Sequence, residues 1–173
     1  MINIDYIKSK IRDVPDFPKK GIVFKDITPL FLEPKIIEKI VDDFADFAKS
    51  LNIDAIIGAE SRGFLFAAPL SIKLNKPFIL VRKPNKLPND VYSAEYTLEY
   101  GSSRVEMHKD ALKPNQRVLI VDDLLATGGT VAAIENLVHQ AKGIVAGSVY
   151  LIRLGFLKGE EKLSGKVHAL INY

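Results

Sequence analysis

The chain has no cysteine, which excludes a disulfide framework and any thiolate metal site. Its three histidines, His108, His139 and His168, stand far apart and make no metal-ligand spacing; they read as surface or packing residues. No apolar stretch approaches membrane-spanning length, and the opening Met1-Ile2-Asn3 leads into no signal-peptide core. The expectation is a cytoplasmic protein with no membrane partner. A nucleic-acid binder would show a basic cluster with interleaved aromatics, and none is present, so no nucleic-acid partner is expected. Two common phosphate-binding motifs, G-x-x-x-x-G-K-[ST] and G-x-G-x-x-G, are also missing.

What remains is 173 residues, 47% hydrophobic and 26% charged, with a net charge of +3. That length supports one domain with a real core. The mild positive balance suits anionic small substrates without specifying one.

The densest information lies in Arg117 to Thr130, RVLIVDDLLATGGT. Val118-Leu119-Ile120-Val121 reads as a strand buried on both faces of a parallel sheet. Beyond Thr130 the spacing of Val131, Ile134, Leu137, Val138 and Ala141 is helical, stopping at Lys142-Gly143. The segment between therefore joins a strand's carboxyl end to a helix's amino end, where open α/β sheets place ligands and where free N–H groups favour an anion. Gly128 and Gly129 let the backbone close on a phosphate, and Thr127 and Thr130 add hydroxyl donors. Asp122 and Asp123 would repel that phosphate, so they must face something else. Adjacent carboxylates accept hydrogen bonds from vicinal hydroxyls, or sit near a divalent metal shared with a diphosphate. A ribose 5-phosphate satisfies both halves of the segment.

VLIVDDLLATGGT resembles the phosphoribosyl diphosphate (PRPP) motif of the type I phosphoribosyltransferases, and Leu124-Leu125-Ala126 is similar to the version in the adenine-using branch of that family. The resemblance implies ribose and phosphate binding by Asp122, Asp123, Ala126, Thr127, Gly128, Gly129 and Thr130. It covers most of the chain, from Phe17 to Lys162. The Pro- and Gly-rich segment Phe17 to Thr28 resembles the F-P-x-x-G-[IV]-x-F-[RK]-D-[IV]-[ST] pattern of that branch's hood. Carried over, Phe24 stacks on the purine, Val23 supplies backbone hydrogen bonds, and Lys25 and Leu124 complete an adenine site.

The strand Ala55 to Gly58 runs into Ala59-Glu60-Ser61-Arg62-Gly63-Phe64, similar to the family's G-x-[DE]-[SA]-R-G-F loop. This implies diphosphate contacts at Glu60 and Ser61, with Arg62 directed at base and ribose; a guanidinium fork at a strand's carboxyl end suits that task. The strand Pro77 to Val81 delivers Arg82, Lys83 and Lys86, and R-K-x-x-K-L-P is similar to the family's diphosphate-binding segment. Between Asn89 and His108 a two-residue alternation, with a turn near Tyr100 to Ser103, reads as a β-hairpin over the site. Tyr96 to Gly101 resembles the flexible loop of the family, in which Glu99 and Tyr100 close on the substrates. Glu99 also stands where it could take a proton from the incoming purine.

The fold expected is α/β, a type I phosphoribosyltransferase fold: a central parallel sheet of about five strands flanked by helices, in one domain over 1–173. A short amphipathic helix carrying Ile4, Ile7 and Ile11 should close at Val14-Pro15. Residues of about 1–30 form a small hood and about 84–108 a flexible lid. A strong helical stripe, Ile36 to Leu51, is scaffold. The resemblance implies adenine and PRPP giving AMP and pyrophosphate, a purine salvage reaction, in a homodimer. Mg²⁺ is expected as cofactor, held mainly through the substrate's diphosphate and ribose hydroxyls near Asp122 and Asp123. The alternatives are another base, such as hypoxanthine, guanine or xanthine, and a PRPP-sensing regulator without catalysis; the latter would carry a DNA-binding module that this sequence does not display.

Overall fold

The computed structural model describes residues 3–97 and 102–173. It divides into two compact units, Met1–Asp43 and Phe44–Tyr173, with the division inside one helix.

The first unit begins with helix α1 (Ile4–Lys10), capped by the Asn3 carboxamide, which accepts from the Tyr6 N–H. Its buried residue is Ile7. The helix ends before Ile11, and Val14-Pro15 is not its stop: Arg12–Pro15 is a strand, β1. It pairs antiparallel with β2 (Val23–Asp26), putting Val14 opposite Phe24 and Asp13 opposite Lys25. Proline at 15 is tolerated because both strands lie at an edge. The segment expected as a continuous loop from Phe17 onward is thus half hairpin. A turn over residues 28–32 follows, and α2 (Pro34–Lys49) opens on its proline, whose missing N–H costs nothing in a first turn.

The second unit is built on a five-stranded sheet in the order β4-β3-β7-β8-β9, with every pair parallel. Its strands are β3 (Ala55–Ala59), β4 (Phe78–Val81), β7 (Arg117–Leu125), β8 (Ile144–Arg153) and β9 (Lys166–Asn172). Residues 118–121 of β7 and 149–152 of β8 are buried without alternation because helices and hairpin cover both faces. Helix α4 (Gly129–Gln140) buries Val131, Ile134, Leu137 and Val138 against Val118, Ile120 and Tyr150 of one sheet face. Helix α3 (Phe64–Leu74) packs on β3 and β7, and Phe66 meets Phe44 of α2 edge to face at 6.0 Å. Phe47 stacks on His168 at 5.0 Å, so this histidine is a packing residue as expected.

The hairpin β5 (Val91–Thr97) and β6 (Ser102–His108) is antiparallel, with Ala94 opposite Val105 and Tyr92 opposite Met107. Ala94, Val105 and Met107 are buried in the same core as α4. The hairpin strands are therefore anchored along their apolar edge, and a mutual backbone bridge between Arg82 and Glu106 ties β6 to the chain leaving β4. Leu98, Glu99, Tyr100 and Gly101 lie outside the described residues.

Candidate active site

Because all five strands are parallel, the carboxyl ends of β4, β3 and β7 sit side by side on one edge of the sheet. Three loops meet that edge in the second unit.

The first follows β7. The strand continues through Asp122 and Asp123 to Leu125, two turns of pleat further than the apolar run alone suggests. Residues in a strand alternate faces, so the two aspartates separate. Asp122 shares the face of Val118 and Ile120 and lies opposite Tyr150 of β8, while Asp123 turns to Arg62. The Arg62 Nε stands 3.0 Å from Asp123 Oδ2. Residues 126–128 then turn sharply, Gly128 takes a left-handed φ of 77°, and α4 begins with no side-chain cap. Its first-turn N–H groups have no partner within the helix. Asp122 and residues 124–131 line a cleft of about 80 Å³. Thr127 is exposed there and Thr130 half-buried.

Burial, reinforced by the neighbouring Asp123 charge, pushes the Asp122 carboxyl well above the usual carboxylate range. Burial raises Asp123 as well, and the Arg62 guanidinium opposes it. This end of β7 is a costly place for two negative charges, a cost that hydroxyl donors relieve.

The second and third loops are locked together. Glu60, the first residue past β3, is a half-buried carboxylate that accepts from Arg82 Nε at 3.2 Å, Arg82 Nη2 at 3.3 Å and the Lys83 N–H at 2.9 Å. Burial works against its charge, but the hydrogen bonds from Lys83 and Arg82 prevail and hold Glu60 below its ordinary value. Arg82 Nη1 also donates to the Lys86 carbonyl at 3.2 Å, which curls the 82–86 segment back on itself. Glu106 fixes the same segment from β6: its buried carboxylate accepts from the Asn85 N–H at 3.0 Å. Nothing in the sequence pattern marked Glu106. Its signal is only a glutamate at an inward hairpin position beside Val105 and Met107. Lys83, Lys86 and Ser61 are exposed at this edge.

Of the residues expected in the site, the structure thus brings together Asp122, Leu124, Ala126, Thr127, Gly128, Gly129 and Thr130 in one cleft. It joins Asp123 to Arg62, and Glu60 to Arg82 and Lys83. Val23, Phe24 and Lys25 belong to the first unit, on β2. There Phe24 is set edge-on to Phe17 at 5.1 Å, Val23 is 52% exposed, and the Lys25 Nζ is 2.7 Å from Asp13 Oδ1 across the hairpin.

Residues 31–167 match the family described as phosphoribosyl transferase domain. The whole chain is 99% identical to a curated adenine phosphoribosyltransferase of Ureaplasma parvum serovar 3, over 100% of both chains. The chain belongs to the adenine phosphoribosyltransferase family. A solved adenine phosphoribosyltransferase from Thermoanaerobacter pseudethanolicus superimposes with a TM-score of 0.96 at 47% identity, covering 99% of this chain and 100% of that one. The Saccharomyces cerevisiae enzyme, solved with an imino-altritol bisphosphate and adenine, gives 0.92 at 38% identity over 96% and 97%.

Proposed function

We propose that this chain transfers the 5-phosphoribosyl group from PRPP to adenine, releasing pyrophosphate and AMP in purine salvage, with the three loops dividing the work. The observation that carries the reading is the uncapped turn between β7 and α4, with its cleft, its two threonines and a pair of aspartates just upstream. N–H groups of residues 127–130, with the Thr127 and Thr130 hydroxyls, hold the 5-phosphate against Ala126, Gly128 and Gly129. Asp122 and Asp123 accept from the ribose hydroxyls. Arg62, oriented by Asp123, reaches toward ribose and base. The diphosphate takes Arg82, Lys83 and Lys86, with Glu60 and Ser61 shaping their loop.

The resemblance to the family assigns adenine stacking to Phe24 and backbone reading to Val23, with Lys25 and Leu124 as the further residues for the base. A ring nitrogen of adenine attacks the anomeric carbon, the bond to pyrophosphate breaks, and its electron pair leaves with the diphosphate. Positive charge grows on the ribose ring in the transition state, so nearby carboxylates stabilise it while cations stabilise the leaving group. Glu99 receives the proton lost by the base, and the resemblance assigns to Glu99 and Tyr100 a part in excluding water from the reaction.

Mg²⁺ neutralises charge on the diphosphate when bound. The donor set fits such an ion: Mg²⁺ ordinarily takes one or two carboxylates plus substrate phosphates and water, and β7 carries two adjacent carboxylates near its carboxyl end. Asp122 and Asp123 are the side chains placed to assist it.

The working form is a homodimer. In support, α3 is mostly apolar and leaves Leu65 and Ile72 exposed, at 46% and 83%, and Leu80 of edge strand β4 is 40% exposed. An apolar face of that kind is expected at an interface. No helix among the described residues is long and apolar enough to cross a membrane, and the protein acts in the cytoplasm.

The test is purified protein with PRPP, Mg²⁺ and each purine base in turn. AMP should form from adenine, and EDTA should stop it. Turnover of hypoxanthine or guanine in place of adenine would overturn the substrate assignment.

A further inference from the structure

Between β8 and β9, the strap formed by residues 156–164 has no part in the reading above, yet it runs against the turn that follows β7. It is fastened at both ends to the elements flanking that turn. Two residues before the strap, the Leu154 N–H donates to the carbonyl of Leu125, the last residue of β7, at 2.9 Å. At its end the Ser164 N–H and hydroxyl donate to the buried Glu135 carboxylate of α4, at 3.0 and 2.8 Å. Arg153 braces the middle, donating to Glu160 at 3.2 Å and to Asn172 of β9 at 2.7 Å.

Between these fasteners, Gly159 is buried directly against the turn. A Cβ on Gly159 would collide with the Ala126 carbonyl oxygen and approach the Gly128 amide nitrogen to 2.9 Å; a Cβ on Gly128 would strike the Gly159 carbonyl. Both obstacles are backbone, which cannot swing aside as a side-chain tip can. Gly128 also needs glycine for its positive φ, but Gly159 does not have one. At 159 only the contact excludes a side chain.

We propose that Gly159 is a positioning residue for PRPP: the strap 156–164 sets the height of residues 126–128, so that their N–H groups and those opening α4 converge on one phosphate. This rests on the reading of the turn as the 5-phosphate site. Backbone donors act only at the right distance, and displacement of about 1 Å is enough to cost much of their effect.

The experiment compares KM for PRPP and for adenine, with Tm, in Gly159→Ala, Gly155→Ala, Glu135→Gln and Thr127→Ala. Gly155 precedes the strap, and a Cβ there meets only the Tyr173 carbonyl at 3.4 Å, an ordinary contact. Gly159→Ala should raise the PRPP KM about tenfold and leave the adenine KM within about twofold, while Gly155→Ala changes neither. Glu135→Gln, which slackens the far fastener, should raise the PRPP KM about threefold. A folded Gly159→Ala protein with unchanged PRPP KM, or with both KM values rising together as Tm falls, overturns the proposal. If Gly159→Ala does not fold, an unchanged PRPP KM in Glu135→Gln overturns it. Thr127→Ala separates the two levels: if it raises the PRPP KM while Gly159→Ala does not, only the strap's role is lost. If neither moves it, the phosphate assignment itself fails.

Discussion

Two loops at the same sheet edge handle charge in opposite ways. After β7, the turn to α4 leaves its N–H groups and threonine hydroxyls open, and buried carboxylates upstream are held there at a cost. After β3 and β4, one charge already answers another, with Glu60 occupying the Arg82 guanidinium and the Lys83 backbone N–H as a phosphate would. The first loop is prepared for its ligand by what it withholds, the second by a stand-in anion. On the proposed reading, the sugar phosphate fills unused donors, whereas the diphosphate must compete with a carboxylate.

Breaking the first loop should have the larger effect. Asp123→Ala removes a ribose acceptor and leaves Arg62 without its 3.0 Å partner. Its kcat/KM for PRPP should fall about 10³-fold, roughly 4 kcal/mol, with circular dichroism unchanged. If activity survived, the ribose assignment would be wrong. Arg82→Ala strikes the second loop at its charge and should weaken pyrophosphate about 30-fold, roughly 2 kcal/mol, the scale of one charged hydrogen-bonding group. Isothermal titration with pyrophosphate and Mg²⁺ checks it. Glu60→Ala removes the stand-in instead. Arg82 loses two hydrogen bonds that orient it, so the PRPP KM should rise, but only about fivefold because a repelling charge leaves with them. A loss as large as that of Arg82→Ala would mean Glu60 touches the substrate itself.

The smallest effect is on stability, and its sign differs between the loops. Asp122 has its carboxyl raised by burial, so its native state favours the proton. That contribution to stability is full below the unfolded carboxylate range and is lost as pH rises through the higher folded value. Glu60 is lowered, so its contribution is present above the unfolded value and is lost as pH falls through the folded one. Asp122→Asn should therefore raise the Tm of the ligand-free protein at neutral pH by about 3 °C, on the order of 1 kcal/mol, while abolishing turnover. A lower Tm would show that the aspartate is not strained in the empty site.

Much of this was readable from residue pattern. RVLIV announced a doubly buried strand and the 131–141 stripe its following helix, because a core face imposes a fixed period. Five parallel strands followed from counting such runs. What was not readable depends on partners distant in sequence. The aspartates looked like loop residues until β7 proved to run through Leu125, where pairing with Ile152 and Arg153 of β8 extends it. Val14-Pro15 looked like a helix stop because the pairing of Arg12–Pro15 with β2 leaves no local signature. The cations after β4 were legible as a cluster, but the capture of Arg82 by Glu60, 22 residues away, was not. Gly159 carries no motif at all, since its reason for being glycine lies in Ala126 and Gly128.

The most direct measurement of the central claim is a crystal structure of the protein with AMP. The 5′-phosphate should lie within hydrogen-bond distance of the N–H groups of residues 127–130, with the ribose hydroxyls at Asp122 and Asp123. A phosphate bound instead at Arg82, Lys83 and Lys86, with the turn after β7 empty, would contradict the account.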